Sequence, residues 1–201
     1  MGVISNGTTL LDAGSLDSGV ATGAMTLLST VTASSSATVS FTSGINSTYK
    51  EYQVHYSDVH PATDNVNFLV NFRDGSSAFD ATKTSTSFAS YNNEAGNSTG
   101  VNYEGSFDSA QTTNAQPLNA GGGVGGDADE STSGILCLYD PSSTTFVKHF
   151  LSDTTFYNNS DYTIRSFIGG YCNTTAAIDG IQFSMSSGNI DAGTFKLYGI
   201  K

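Results

Sequence analysis

The chain has 201 residues, of which 37% are hydrophobic and only 12% are charged, and its formal net charge is −11. Seven Lys and Arg stand against 18 Asp and Glu, with no basic run, which argues against binding to a nucleic-acid backbone because such binding needs clustered cations. Twelve Phe and ten Tyr argue against disorder, and no stretch approaches the ~20 apolar residues of a membrane span.

Residues 1–24 show no sustained hydrophobic period, in contrast to the rest of the chain. This segment contains large apolar residues that have no local core to pack on: Val3, Ile4, Leu10 and Leu11. We therefore expect an extended docking arm that packs on a neighbouring subunit or surface. The segment lacks the basic and apolar blocks of a signal peptide, so we expect synthesis in a cytoplasm without export by the usual route.

Apolar and small polar residues alternate from Met25 to the last residue. A period of two predicts strands with one buried face. The first half of this region predicts strands over residues 25–31, 37–42, 52–56 and 66–72. Residues 33–36 are turn-prone and separate the first two strands, and Pro61 ends the ladder of the third because proline has no N–H to donate.

Residues 92–132 follow a weaker strand at 85–91 and are the least regular region. A structureless loop of this length is unusual in a compact domain, so we expect an ordered insertion that carries interface or binding function. Its candidate binding residues are aromatic and amide side chains suited to sugars and a cluster of acids: Tyr91, Asn92, Asn93, Tyr103, Asp127, Asp129 and Glu130. The acidic residues predict a solvated loop. The alternative is a loop that binds Ca²⁺, because Ca²⁺ favours several oxygen donors.

Regular strands resume at residues 134–139, whose sequence GILCLY is apolar on both faces and predicts a central strand. Further strands are predicted near residues 146–150, 164–171, 181–185 and 194–200, and helix signals are nearly absent. Short strands at roughly 10-residue spacing are typical of a sandwich or barrel. We therefore predict an all-β protein in which residues 25–201 form one jelly-roll-like antiparallel β-sandwich, with an irregular insertion at about 92–132 and the arm at 1–24.

The two cysteines, Cys137 and Cys172, lie in or at the end of predicted strands. Our main interpretation is two small buried thiols. A disulfide between them requires neighbouring strands with suitable geometry, which leaves their pairing open.

Catalytic motifs are weak in this chain. Residues 96–100 (GNSTG) match the pattern around a nucleophilic serine but lack the preceding strand and following helix of a nucleophile elbow. Residues 121–126 are glycine-rich but lack the Lys-Ser/Thr pair of a phosphate-binding loop. We therefore expect no enzymatic activity, and no cofactor beyond the Ca²⁺ alternative.

Several segments resemble structural proteins of marine tailed bacteriophages. They are ISNGTT at 4–9 with DAG at 12–14, HPATD at 60–64, DPSSTTFVKH at 140–149 and FSMSSGNI at 183–190. The resemblance spans most of the chain and rests on framework features. It implies a virion protein, assembled in the host bacterial cytoplasm, and carries over no active-site residues.

Two functions follow from this resemblance and from the arm. The first is a capsid decoration or cement protein, expected to be trimeric, that binds its own copies and other virion proteins such as the major capsid protein. The second is a tail-fibre or receptor-binding module that recognises a host surface glycan. A short chain with an arm, and without a coiled coil or repetitive shaft, favours the first.

Overall fold

The computed structural model describes residues 3–5, 7–12, 15–16 and 23–201. In it, the segments in which apolar and polar residues alternate form β-strands almost everywhere. A short 3-10 turn at Gly105–Phe107 is the one helical element within these ranges. In the same ranges, no helix has the length and apolar character needed to span a membrane.

The strands form three antiparallel sheets. The N-terminal segment contributes β1 (Val3–Ser5), β2 (Thr8–Asp12) and β3 (Ser15–Leu16), which pair with one another. In spatial order, the small sheet contains β10 (Gln116–Pro117), β7 (Phe68–Arg73), β14 (Gly180–Met185) and β5 (Thr38–Phe41). In spatial order, the large sheet contains β4 (Met25–Ser36), β15 (Ile190–Ile200), β6 (Glu51–Pro61), β11 (Thr132–Tyr139), β12 (Lys148–Tyr157), β13 (Tyr162–Cys172), β8 (Lys83–Asn93) and β9 (Thr99–Tyr103).

Two four-stranded halves, β4–β15–β6–β11 and β5–β14–β7–β10, have the order of a jelly roll. The chain alternates between the two sheets, going from β4 to β5, β6 to β7, β10 to β11 and β14 to β15. Strands β8 and β9 are inserted between β7 and β10, and β12 and β13 between β11 and β14. These four strands extend the large sheet on one side of β11, so the large sheet is twice as wide as the small one.

The core lies between the two sheets and is rich in aromatic side chains. Phe68 and Phe183 from the small sheet stack with ring centroids 5.6 Å apart, and Tyr56 of β6 packs 5.2 Å from Phe68. The buried Tyr56 hydroxyl is 3.2 Å from Ser152 Oγ and 2.5 Å from Thr154 Oγ1. Burial raises the pKa of Tyr56 to about 12, so the phenol stays neutral and its polar end is hydrogen-bonded.

The predicted all-β antiparallel sandwich is confirmed, and β11, which contains GILCLY, is central, between β6 and β12. Pro61 is the last residue of β6, as predicted. The predicted turn at residues 33–36 is wrong, because β4 continues to Ser36, which is paired with Ile190 of β15. Pairing with a long partner strand overrides the local turn preference of serine. Within residues 92–132 the structure contains β9, the 3-10 turn, β10 and the start of β11.

Candidate functional site: the outer face of the large sheet

The outer face of the large sheet, which points away from the small sheet, carries apolar side chains on its central strands. In β11, Leu136 and Leu138 are fully buried, whereas Ile135 is 37% exposed on the opposite face. In β12, Phe150 is fully buried and Leu151 is 51% exposed. Both strands therefore carry apolar side chains on each face, but the fold covers only one face.

The outward side chains of β11, β12, β13 and β8 form a groove of about 580 Å³, which we call the outer groove. Its apolar lining is Phe88, Ile135, Cys137, Leu151 and Phe167. Gly169 is paired with Leu151 in the register and contributes no side chain, which leaves the floor of the groove open. The lining of the groove is chemically suited to apolar ligands, because hydrocarbon and aromatic groups dominate it.

One end of the outer groove is an ordered aromatic and ionic wall. Phe88 and Phe167 are directly paired across β8 and β13, and their rings stack with centroids 4.8 Å apart. The Arg165 guanidinium lies 4.6 Å from the centroid of Phe167. Arg165 also donates two hydrogen bonds to the Asp153 carboxylate, at 2.9 and 2.6 Å. The wall is therefore close to electrically neutral.

The two cysteines lie on opposite faces of the large sheet. Cys137 lines the outer groove and is half-buried, whereas Cys172 is fully buried on the inner face. Both are free thiols, and β12 lies between their strands. Burial raises the pKa of Cys137, and it raises the pKa of Cys172 to about 12, so both thiols are protonated at neutral pH.

The predicted sugar-binding residues Tyr91, Asn92 and Asn93 lie in β8 rather than in a loop. Tyr91 packs edge-on against Tyr162, with ring centroids 5.9 Å apart. The Asn93 Oδ1 accepts a hydrogen bond from the backbone N–H of Asn97 at 3.0 Å, so its side chain fixes the turn to β9. The GNSTG stretch forms part of this hairpin rather than a strand-to-helix elbow.

A polar depression of about 390 Å³ lies at this end of β8, and it is lined by Asn92, Asn93, Glu94, Tyr157 and Thr163. The Tyr157 hydroxyl donates to Glu94 Oε1 at 2.8 Å, and this hydrogen bond raises the pKa of the phenol. Tyr103 is placed differently, since it lies in β9 opposite Phe88 and is 69% exposed. Its hydroxyl donates to Asp108, which raises the pKa of Tyr103.

The acidic residues lie in a turn that lines a separate depression. Glu130 is only 5% exposed, and its Oε2 accepts the backbone N–H of Asp127 at 2.6 Å. Asp129 lines a depression together with Asp58 and Asp191. Across residues 3–5, 7–12, 15–16 and 23–201, no group of three His, Cys, Asp or Glu side chains is arranged to hold a metal ion. Calcium binding by this turn therefore stays a prediction from the sequence.

The large apolar arm residues whose side chains are described are exposed. Val3 is 55%, Ile4 63% and Leu11 37% exposed, while the side chain of Leu10 lies outside the described residues. Val3 and Leu11 are opposite each other in the pairing of β1 with β2, so their side chains share one face. The described arm strands pair only within the arm.

Two buried lysines lie away from the outer face, at the inner end of the extended sheet. Lys83 and Lys148 flank Cys172 in the register and are fully buried. Their ammonium groups donate to the backbone carbonyls of Asn114 (2.8 Å) and Thr174 (3.0 Å). Desolvation lowers the pKa of Lys83 to about 8 and also lowers that of Lys148. Their bonds to connecting loops indicate a structural role.

Sequence reasoning did not identify Phe88, Leu151 and Phe167 as site residues. Leu151 stands among outward-facing polar neighbours in an alternating strand, and the apolar GILCLY lies beside it in the sheet. An apolar residue on the polar face of an alternating strand is the signal that could have identified the surface.

Comparison of the chain with models of known protein families, with curated proteins and with solved structures yields no match.

Proposed function

We infer that this chain is a non-enzymatic virion structural protein, a capsid decoration or cement protein that binds the shell and copies of itself. The main support is the outer groove, because an exposed apolar surface of this kind is typical of an interaction site. The groove spans four adjacent strands, and the outer two of these are about 14 Å apart at ~4.8 Å per spacing. A protein surface of that width suits a macromolecular partner.

The arm supports the same proposal from a second part of the chain. Val3, Ile4 and Leu11 are aliphatic and exposed, which is unfavourable unless a partner covers them. The resemblance of the arm and of three later segments to phage structural proteins supports a virion as the place where partners are found. The expected partners are the major capsid protein and further copies of this chain in a trimer.

The low charge density indicates how such copies would associate. A net charge of −11 produces self-repulsion, but the charged residues make up only 12% of the chain. Contacts between copies would therefore be favoured where the surface is apolar or where its charges are already paired, as around Asp153 and Arg165.

Immunogold labelling of intact virions with an antibody against this chain tests the proposal. We expect label spread over the head. Label confined to the tail would contradict decoration.

Deletion of residues 2–20 tests the docking arm, and we expect the truncated chain to be lost from virions. Unchanged incorporation would contradict the role of the arm.

The alternative function, a tail-fibre or receptor-binding module for a host glycan, is favoured by the polar depression beside β8. Amide, carboxylate and phenol groups of Asn92, Asn93, Glu94 and Tyr157 line it, and these groups suit sugar hydroxyls. A glycan array tests this alternative by comparing glycan binding of the wild type and of Asn92→Ala. Thr155→Ala, on the outer face, is the matched control. Binding that is lost only in Asn92→Ala, together with tail label, would replace decoration by receptor binding.

A further inference from the structure

We propose that the outer groove binds the N-terminal arm of a second copy of this chain. The proposal rests on the proposed function, since it assigns the surface through which copies would contact each other. In the single chain both sides of this contact are open: Leu151 is 51% exposed in the groove, and Val3 is 55% exposed on the arm.

The outer groove has room for the apolar side chains of the arm. An engineered core cavity that binds one benzene molecule measures ~150 Å³, and the groove measures about 580 Å³. Its floor is open at Gly169, and its sides are Leu151 and the stacked rings of Phe88 and Phe167. The aliphatic side chains that share one face of the arm, Val3 and Leu11, can therefore enter together.

The arm offers side chains of the matching chemistry. Val3 and Leu11 lie on one face of the β1–β2 pair, and Ile4, the next residue of β1, points to the opposite face. These are short aliphatic groups that need no polar partner, and the groove lining supplies hydrocarbon and aromatic contacts.

Charge also favours this contact over others between two copies. The chain carries a net charge of −11, so most surfaces of two copies repel each other. Within residues 3–16 the one charged residue is Asp12. The one charged side chain that lines the groove is Asp153, and Arg165 neutralises it. Binding of the arm in the outer groove therefore brings almost no unpaired like charges close to each other.

The proposed contact joins different surfaces of two copies, the arm of one and the outer groove of the next. The chain enters the sandwich at β4, an edge strand, and β12 lies four strand positions away, roughly 19 Å. An arm that leaves one edge and binds the face of the next copy makes a heterologous contact. Heterologous contacts form closed rings when the rotation closes, and a trimer is one such ring.

The native thiol of Cys137 inside the groove allows a direct test by disulfide cross-linking. One purified chain carries Val3→Cys and Cys137→Ser, and a mass-tagged wild-type chain supplies Cys137. Neither chain can form an arm–groove disulfide alone. After oxidation of the mixture with diamide, we expect a covalent heterodimer in which position 3 is linked to position 137, identified by peptide mass spectrometry.

A matched control places the new thiol outside the arm and the groove, at the β4 edge of the same outer face. Thr30→Cys, exposed on β4, replaces Val3→Cys in the Cys137→Ser chain and should give no link to Cys137. Equal yields from the two chains, or no heterodimer from Val3→Cys, would overturn the proposal. Val3→Cys in a chain that retains Cys137 shows whether the groove holds the arm of a second copy or the chain's own arm. An internal disulfide without covalent oligomers would mean that the groove holds the chain's own arm, which also overturns it.

Sedimentation velocity tests the groove without added thiols. Leu151→Asp places a charge in the groove, and Thr155→Asp places the same charge on the same exposed face of β12 outside it. We expect association at least about tenfold weaker for Leu151→Asp and close to wild type for Thr155→Asp, with circular dichroism confirming that both fold. Equal weakening, or a wild type that stays monomeric at every concentration, would overturn the proposal. Immunogold labelling would then still decide the virion role separately.

Discussion

The two faces of the large sheet use similar residues for different purposes. Leu136 and Phe150 point inward and are fully buried, whereas their neighbours in the chain, Ile135 and Leu151, point outward and are 37% and 51% exposed. All four side chains are apolar, so the difference comes from what the fold places over them. The inner face forms the core of the molecule, and the outer face leaves its apolar side chains exposed in the single chain.

Truncation of one side chain on each face should give the largest difference. We expect Phe150→Ala to lower the free energy of unfolding by ~3–5 kcal/mol, because it leaves a cavity between the sheets. We expect Leu151→Ala to change it by less than ~0.5 kcal/mol in dilute, monomeric protein. Urea denaturation followed by circular dichroism measures both. Similar losses for the two variants would mean that the outer face is packed within the single chain.

Two adjacent glycines sharpen the same comparison. A Cβ at Gly170 would lie 2.5 Å from the Phe150 ring and 2.7 Å from the Thr84 carbonyl oxygen, whereas a Cβ at Gly169 would lie 3.3 Å from the exposed Leu151 side chain. We expect Gly170→Ala to cost ~1–3 kcal/mol through overpacking and Gly169→Ala to stay within ~0.5 kcal/mol of wild type. Thermal and urea unfolding measure both, and a tolerated Gly170→Ala would contradict the tight inner packing.

The buried lysines of the inner face predict a pH effect. Burial lowers the pKa of Lys83 in the folded state from 10.5 to about 8, so between these values the unfolded chain binds more protons than the folded one. The contribution of Lys83 to the free energy of unfolding therefore rises with pH through this window, by on the order of 1 kcal/mol between about pH 8.5 and about pH 9.5. The raised pKa of Cys172 contributes with the opposite sign, so the Lys83 contribution is the change in wild type minus the change in Lys83→Met. Urea unfolding at both pH values checks the sign. The control, Lys83→Met, should show a smaller rise, and an equal rise would exclude Lys83 as its source.

The smallest effect is expected from the exposed ion pair of the outer face. Asp153→Asn should lower the free energy of unfolding by less than ~1 kcal/mol, because the pair is solvated. Added salt should reduce that loss further through screening. A double-mutant cycle with Arg165→Gln measures the coupling. A coupling well above 1 kcal/mol would mean that the wall of the outer groove contributes to the fold rather than only to its surface.

The candidate site was harder to predict than the fold, because its residues are far apart in the sequence. Asn93 and Glu130 have side chains suited to ligands, but each is used to fix a turn of the chain itself. Phe88 and Phe167 stack on each other only because β8 pairs with β13. No local sequence pattern predicts that these two aromatic residues lie opposite each other.

The all-β class, the central place of GILCLY and the end of β6 at Pro61 follow from the amino-acid sequence, because strand alternation and the missing proline N–H act locally. The sequence also marks residues 134–139 as apolar on both faces. Which of those faces is covered depends on how the two sheets pack in the folded chain. The insertion of β8, β9, β12 and β13 widens one sheet and not the other, and covering a face depends on these long-range pairings rather than on any single segment.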